Sequence, residues 1–150
     1  MRVAFACDHA GWNLGDRILA ELTAGGFELV DCGSPVPVPG DDYPDVAAAV
    51  GRAIVKGQAE RGILVCGSGV GASIAASKLT GVRSALCHDS FSAHQGVEDD
   101  DMNVLSLGAR VIGPELAAEL VRVFLAARFS GAERHTRRLG KIGELERTRT

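Results

Sequence analysis

Apolar positions along this chain fall into two alternating patterns: unbroken short runs, and stretches that recur about every four residues. Arg2–Cys7 is an unbroken run and reads as a buried strand. Leu14, Ile18, Leu19 and Leu22 then share one face of a helix that Gly25-Gly26 stops. Phe27–Cys32 predicts a second strand, and Gly33–Gly40, with Pro35, Pro37 and Pro39, predicts a loop that can continue neither element. Pro44–Val55 is alanine-rich and helical. Gly62–Cys66 is a short apolar strand broken by Gly67-Ser68-Gly69-Val70-Gly71, and Ala72–Leu79 follows as a helix. Val82–Cys87 predicts a fourth strand and Ser90 opens a short helix. Asn103–Leu107 and Val111-Ile112 are apolar on either side of Gly108. Pro114 suits the first turn of a helix striped by Leu116, Leu120, Val123, Phe124 and Ala127.

Strands that alternate with helices in this way predict one α/β domain over 1–150, a doubly wound, Rossmann-like parallel sheet with helices on both faces. The stretch 131–150 is polar and basic and predicts a carboxyl-terminal helical tail. Such sheets bind ligands at the carboxyl ends of their strands, which singles out Cys7-Asp8-His9, Cys66-Gly67-Ser68 and Cys87-His88-Asp89.

Composition narrows the class. No apolar run approaches the ~20 residues of a bilayer crossing, and the apolar start meets Asp8 too soon for a signal peptide, so a cytoplasmic protein is expected, with no membrane partner. Sixteen Lys and Arg against nineteen Asp and Glu leave a net charge of −3, which disfavours a nucleic-acid footprint. Cys7, Cys32, Cys66 and Cys87 are spread evenly without paired spacing, which argues against a disulfide framework and against a metal site.

The glycine-rich loop after the third strand is the sharpest chemical signal, because glycines there let backbone N–H groups converge on an anion at a helix N-terminus. Two anions compete. Gly67, Gly69 and Ala72 match a G-x-G-x-x-A fingerprint, with Asp89 placed as a ribose-binding carboxylate, and this points to a dinucleotide. The alternative makes the loop a cradle for an oxyanion or enediolate with Cys66 at its lip, since the positive end of a helix favours a thiolate that can act as base or nucleophile. Cysteine also ends buried strands without chemistry. Asp8 beside His9 suits proton transfer or anion binding, against a plain helix cap by Asp8. Arg134 and Arg138, four apart, project from one helix face and could clamp a phosphate, against a solvated basic tail. Arg110, between two apolar segments, is harder to read as surface. His88 and His94 have no spacing that marks them.

Taken together, Cys7-Asp8-His9-Ala10-Gly11, Asp42-Tyr43-Pro44, Gly62 to Gly71, Met102-Asn103-Val104-Leu105 and Gly108 to Gly113 closely resemble the type B ribose-5-phosphate isomerases, a family that extends to galactose-6-phosphate isomerase subunits and tetrose-phosphate isomerases. The likeness runs in order from residue 1 to about 142. It implies a metal-free and cofactor-free interconversion of aldose and ketose phosphates through an enediolate, with ribose 5-phosphate as the leading substrate. Cys66 would be the base. Backbone N–H groups from Gly67 through Gly69 and Val70 to Gly71 would hold the oxyanion, which gains most from preorganised donors. Asp8 and Ser68 would handle hydroxyl protons, Asp100 and Asn103 would meet the substrate, and His9, Arg134 and Arg138 would hold the phosphate, with Arg110 joining from a second subunit. A homodimer or homotetramer with shared active sites is implied.

One position departs from the family. A histidine assigned to opening the furanose ring usually precedes the Asn-Val-Leu segment, and here Asp99 stands in its place, with His94 five residues earlier. Asp99 is therefore expected as the catalytic substitute, though a carboxylate does not match imidazole near neutral pH. A tetrose 4-phosphate cannot close to a furanose and needs no ring opener, so the substitution favours a tetrose as the alternative substrate.

Overall fold

The computed structural model describes residues 1–148, so the last two residues of the basic 131–150 segment lie outside the described residues. Five strands, β1 (Arg2–Cys7), β2 (Glu28–Asp31), β3 (Arg61–Cys66), β4 (Ser84–Leu86) and β5 (Val104–Gly108), form one all-parallel sheet in the order β2-β1-β3-β5-β4. The helices are α1 (Trp12–Ala24), α2 (Tyr43–Val55), α3 (Val70–Ala76), α4 (Ser90–Asp100), α5 (Pro114–Ala126) and α6 (Glu133–Arg147).

The expected doubly wound class is what the chain adopts. Successive strand residues point to opposite faces, so Val3, Phe5, Ile63, Val65, Leu105 and Leu107 enter one core under α1, α4 and α5. Ala4, Ala6, Leu64 and Cys66 enter the other, under α2 and α3. The second face is lined by small residues, including Ala47, Ala53, Ala72 and Ala76, which lets α2 and α3 lie close on the sheet and on each other. Neighbours β1 and β3 send their chains to opposite faces, into α1 and α3. The resulting crevice at their carboxyl ends is the usual ligand position of such a sheet.

Several boundaries move for local reasons. β4 keeps three of the six residues expected of Val82–Cys87, because it lies on the sheet's edge with β5 as its only neighbour. The apolar pair Val111-Ile112 does not extend β5, since both amides bond to the Gly108 carbonyl in a turn. α3 starts at Val70 rather than Ala72, because Gly69 takes the left-handed conformation that a side chain resists and so serves as its cap. The tail is a helix whose one fully covered residue is His135.

Phe124 on α5 is fully buried, and the buried Arg61 guanidinium stacks on its ring at 5.2 Å. Phe124→Ala removes a ring from a closed core and a platform from that cation, and should cost about 3–5 kcal/mol, read as a lower urea midpoint at unchanged slope.

Candidate active site

Cys66 is the last residue of β3, paired in register with Gly108 of β5, and it points toward α2 and α3. Its sulfur accepts a hydrogen bond of 3.0 Å from the Gly69 N–H. That bond needs the chain to double back within three residues, with Gly69 at φ +81°. A Cβ there would sit 2.4 Å from Leu86 Cδ1 and 2.9 Å from the Leu107 carbonyl carbon, so no larger residue fits. Among the described residues the amides of Ser68, Gly71 and Ala72 have no partner, and that of Val70 reaches only the Ser68 hydroxyl at 3.3 Å. The loop therefore presents a sulfur and a group of unengaged donors on one wall of a cavity of about 470 Å³, shared with Asp8, Tyr43 and Arg110. Although only 6% exposed, Cys66 opens onto solvent-accessible space.

The β1 end supplies the opposite wall. Asp8 is buried, and its Oδ1 accepts from the Gly11 N–H at 2.8 Å in the turn ahead of α1, whose cap is Gly11 rather than Asp8, so one oxygen is occupied. Its residue lines the cavity all the same. The His9 side chain is exposed and pairs through Nδ1 with Asp41, which also accepts from the His9 amide at 3.2 Å. Arg110 is exposed and stands against Gly67, whose carbonyl accepts from the Arg110 amide at 2.9 Å. The expectation that Arg110 joins from another subunit is corrected here, because β5 pairs with β3 and delivers Arg110 to the Cys66 loop of its own chain.

Other expected residues collect elsewhere. Asp99 and Asp100 end α4, and Asn103 precedes β5, whose Val104 pairs with Gly62 at the amino end of β3. Four residues of extended strand, about 13 Å, separate that end from Cys66. The Asn103 amide accepts from the Arg83 N–H at 2.8 Å and donates to the Gly81 carbonyl at 2.9 Å, so both its polar ends hold the turn before β4, and Asn103 is withdrawn as a substrate ligand. Arg134 and Arg138 lie exposed on α6, which packs on α4. One chain thus brings together Asp8, Cys66, Gly67, Ser68, Val70, Gly71 and Arg110, and sets Asp99, Asp100, Arg134 and Arg138 apart.

The remaining candidates have structural work. Asp89 caps α4, accepting from the Ser92 N–H at 2.7 Å, and that bond holds its carboxyl below the usual range. It also follows β4, which β5 separates from β3, whereas a dinucleotide site takes its ribose carboxylate from the strand beside the one that leads into the glycine loop, and the dinucleotide reading falls. His88 Nε2 accepts from the Gly108 amide at 3.1 Å. His94 pairs with Glu98 at 3.2 Å and meets Phe91 edge-on. Among the described residues no three His, Cys, Asp or Glu are grouped to hold a metal ion.

Tyr43 escaped the sequence reading as a site residue. Its ring lies flush with Gly71, where a Cβ would come within 2.7 Å of it, and it closes the cavity from the start of α2. The available signal was Pro44 marking the first turn of a helix bound for the same face as Cys66.

With that geometry in view, comparison with known proteins is decisive for the family. Residues 3–142 match the Ribose/Galactose Isomerase family, and the chain belongs to it. It is 40% identical over 148 residues to ribose-5-phosphate isomerase B of Escherichia coli, covering 99% of this chain and 98% of that one. It is also 40% identical over 131 residues to D-erythrulose-4-phosphate isomerase of Pectobacterium atrosepticum, covering 87% and 86%. The fold superposes on ribose-5-phosphate isomerase B from Mycoplasma genitalium, solved with bound ribulose-5-phosphate, with a TM-score of 0.92 at 36% identity, covering 99% and 97%.

Two other cysteines are set apart by their surroundings. Burial first, and then Asp16 and Asp8, push the Cys7 thiol from 9.0 to about 11, and burial followed by Asp89 does the same for Cys87. A folded thiol that resists ionisation stabilises the fold below its unfolded value and stops doing so as pH rises through its folded value. Stability should therefore decline between about pH 9 and 11, measured by urea unfolding, and Cys7→Ala with Cys87→Ala should flatten that decline.

Proposed function

We propose that this chain is an aldose–ketose isomerase of sugar phosphates that interconverts ribose 5-phosphate and ribulose 5-phosphate through an enediolate. The observation that carries this reading is the Cys66 sulfur, held by the Gly69 amide on a cavity wall beside unengaged N–H donors. Acting as a thiolate, Cys66 takes the proton from C2 of the open-chain aldose, and the electron pair left behind forms the C1–C2 double bond. Negative charge then rests on O1, where the amides of Ser68 and Gly71 are placed to hold it. Asp8, with Oδ2 unused by the Gly11 bond, and Ser68 move the hydroxyl proton between O2 and O1. The Cys66 thiol returns its proton to C1. The hydrogen that leaves the sugar comes back to it, so the reaction needs no external oxidant, and we assign no cofactor or metal.

A phosphate so oriented needs cations, and among the described residues Arg110 is the one that lines the cavity. We assign the phosphate to His9 and Arg110 of one chain and to Arg134 and Arg138 of a second copy, which would also bring Asp99 and Asp100, in a homodimer or homotetramer with shared sites. Among the described residues no helix is long and apolar enough to cross a membrane. With a phosphorylated small molecule as partner rather than nucleic acid, we place the protein in the cytoplasm.

A tetrose 4-phosphate is the second reading. What favours it is that the two histidines near Asp99 are both engaged, His94 with Glu98 and His135 with Asp99 itself, so no free imidazole serves ring opening.

Cys66→Ala should lower turnover by about 10²–10⁴-fold, the usual worth of a positioned base, without unfolding the chain. Ribose 5-phosphate and erythrulose 4-phosphate assayed side by side decide between the sugars, and a clear preference for the four-carbon substrate would replace the pentose. Shared sites have their own test. Cys66→Ala chains and Arg134→Ala chains, each nearly inactive, should regain about a quarter of native activity when unfolded and refolded together, as random pairing restores one good site in each mixed dimer. No recovery would place both groups in one chain's site.

A further inference from the structure

His135 is 3% exposed and is the one histidine among the described residues enclosed by the fold. Its Nε2 lies 2.8 Å from Arg134 Nε. A guanidinium nitrogen donates and cannot accept, so Nε2 must carry a lone pair, and the ring's proton is on Nδ1. Nδ1 in turn faces the Ser130 hydroxyl at 2.7 Å and Asp99 Oδ1 at 3.2 Å. The other Asp99 oxygen accepts from Gln95 Nε2 at 2.7 Å. The carboxylate is thus held between α4 and α6 with both oxygens engaged inside the protein.

We propose that His135 is a positioning residue for Arg134, with Nε2 as the acceptor, and that Asp99 serves this imidazole rather than the sugar. This rests on Arg134 being a phosphate ligand, as assigned above. It accounts for a carboxylate at position 99, which a buried N–H can use as an acceptor. It also fixes the arginine. With Nε bonded inward, the guanidinium plane is set, and among the described residues its two terminal nitrogens have no partner, so the fork stays available for two parallel bonds to an oxyanion. The charged or titratable groups facing the ring are Asp99 from α4 and Arg134 from α6, with neutral Ser130 from the preceding loop. A second proton on the imidazole must go to Nε2, where it meets the Arg134 N–H and drives the guanidinium out of line.

The test is sulfate binding by calorimetry between about pH 5 and 8, since sulfate stays a dianion there while imidazole titrates. In the wild type, affinity should fall on acidification by about tenfold more than in His135→Gln, whose side-chain oxygen accepts from Arg134 without taking a proton. His135→Ala should bind about tenfold more weakly than the wild type near pH 8 and match it near pH 5, and near pH 8 should show the same factor in KM for ribose 5-phosphate, with kcat within about twofold. Identical sulfate profiles in wild type and His135→Gln, or a Gln variant as weak as Ala, overturn the proposal alone. Absence of sulfate binding by the wild type overturns it together with the phosphate clamp.

Discussion

A single amide hydrogen pointed at sulfur organises the candidate site. The Gly69 N–H reaches Cys66 Sγ because the chain reverses through a left-handed glycine at the end of β3. The same reversal starts α3 early and leaves its first amides free at the cavity. Straightening that turn would lose the donor to sulfur and the cluster of free amides at once. The Leu86 side chain and Leu107 backbone, pressed against Gly69, keep the turn from relaxing, so the edge of the sheet supports the chemistry at its centre.

The sheet's topology divides labour between the two ends of the molecule. At the carboxyl ends of β1 and β3 lie Asp8 and Cys66, with Arg110 delivered by the chain that leaves β5. At the amino ends lie Asp99, Asp100 and the helix that bears Arg134 and Arg138, too far for one chain to use both sets together. The proposed assembly of two copies reconciles that separation with a family whose substrates are small. It also makes positioning of the α6 arginines a matter for the subunit that does not hold the reacting carbon.

Much of this was legible in the residues. Unbroken apolar runs marked β1 and β3, and the glycine loop marked the ligand end, because burial on both faces and left-handed turns leave direct traces in composition. Asp89 misled, since spacing along the chain cannot tell that β5 is inserted between β3 and β4. Asn103 misled because its partners, Arg83 and Gly81, lie about twenty residues away and meet it only in three dimensions. Tyr43 and His135 were missed for a related reason. Tyr43 matters through its contact with Gly71, and His135 through those with Arg134 and Asp99, which no periodicity encodes.

α6 has a further consequence beyond catalysis. Its Ile142 and Leu145 face Ser84 and Ala85 across a cleft of about 420 Å³, and the Glu146 carboxylate takes the Gly81 amide just ahead of β4. β4 is a border strand with an unpaired side, the kind of feature that recruits foreign strands into aggregates. The helix that carries the guanidinium groups also shields this border. On the proposed assignment of the α6 arginines, selection for solubility and for substrate grip act on one segment, and mutations that loosen it would be penalised twice.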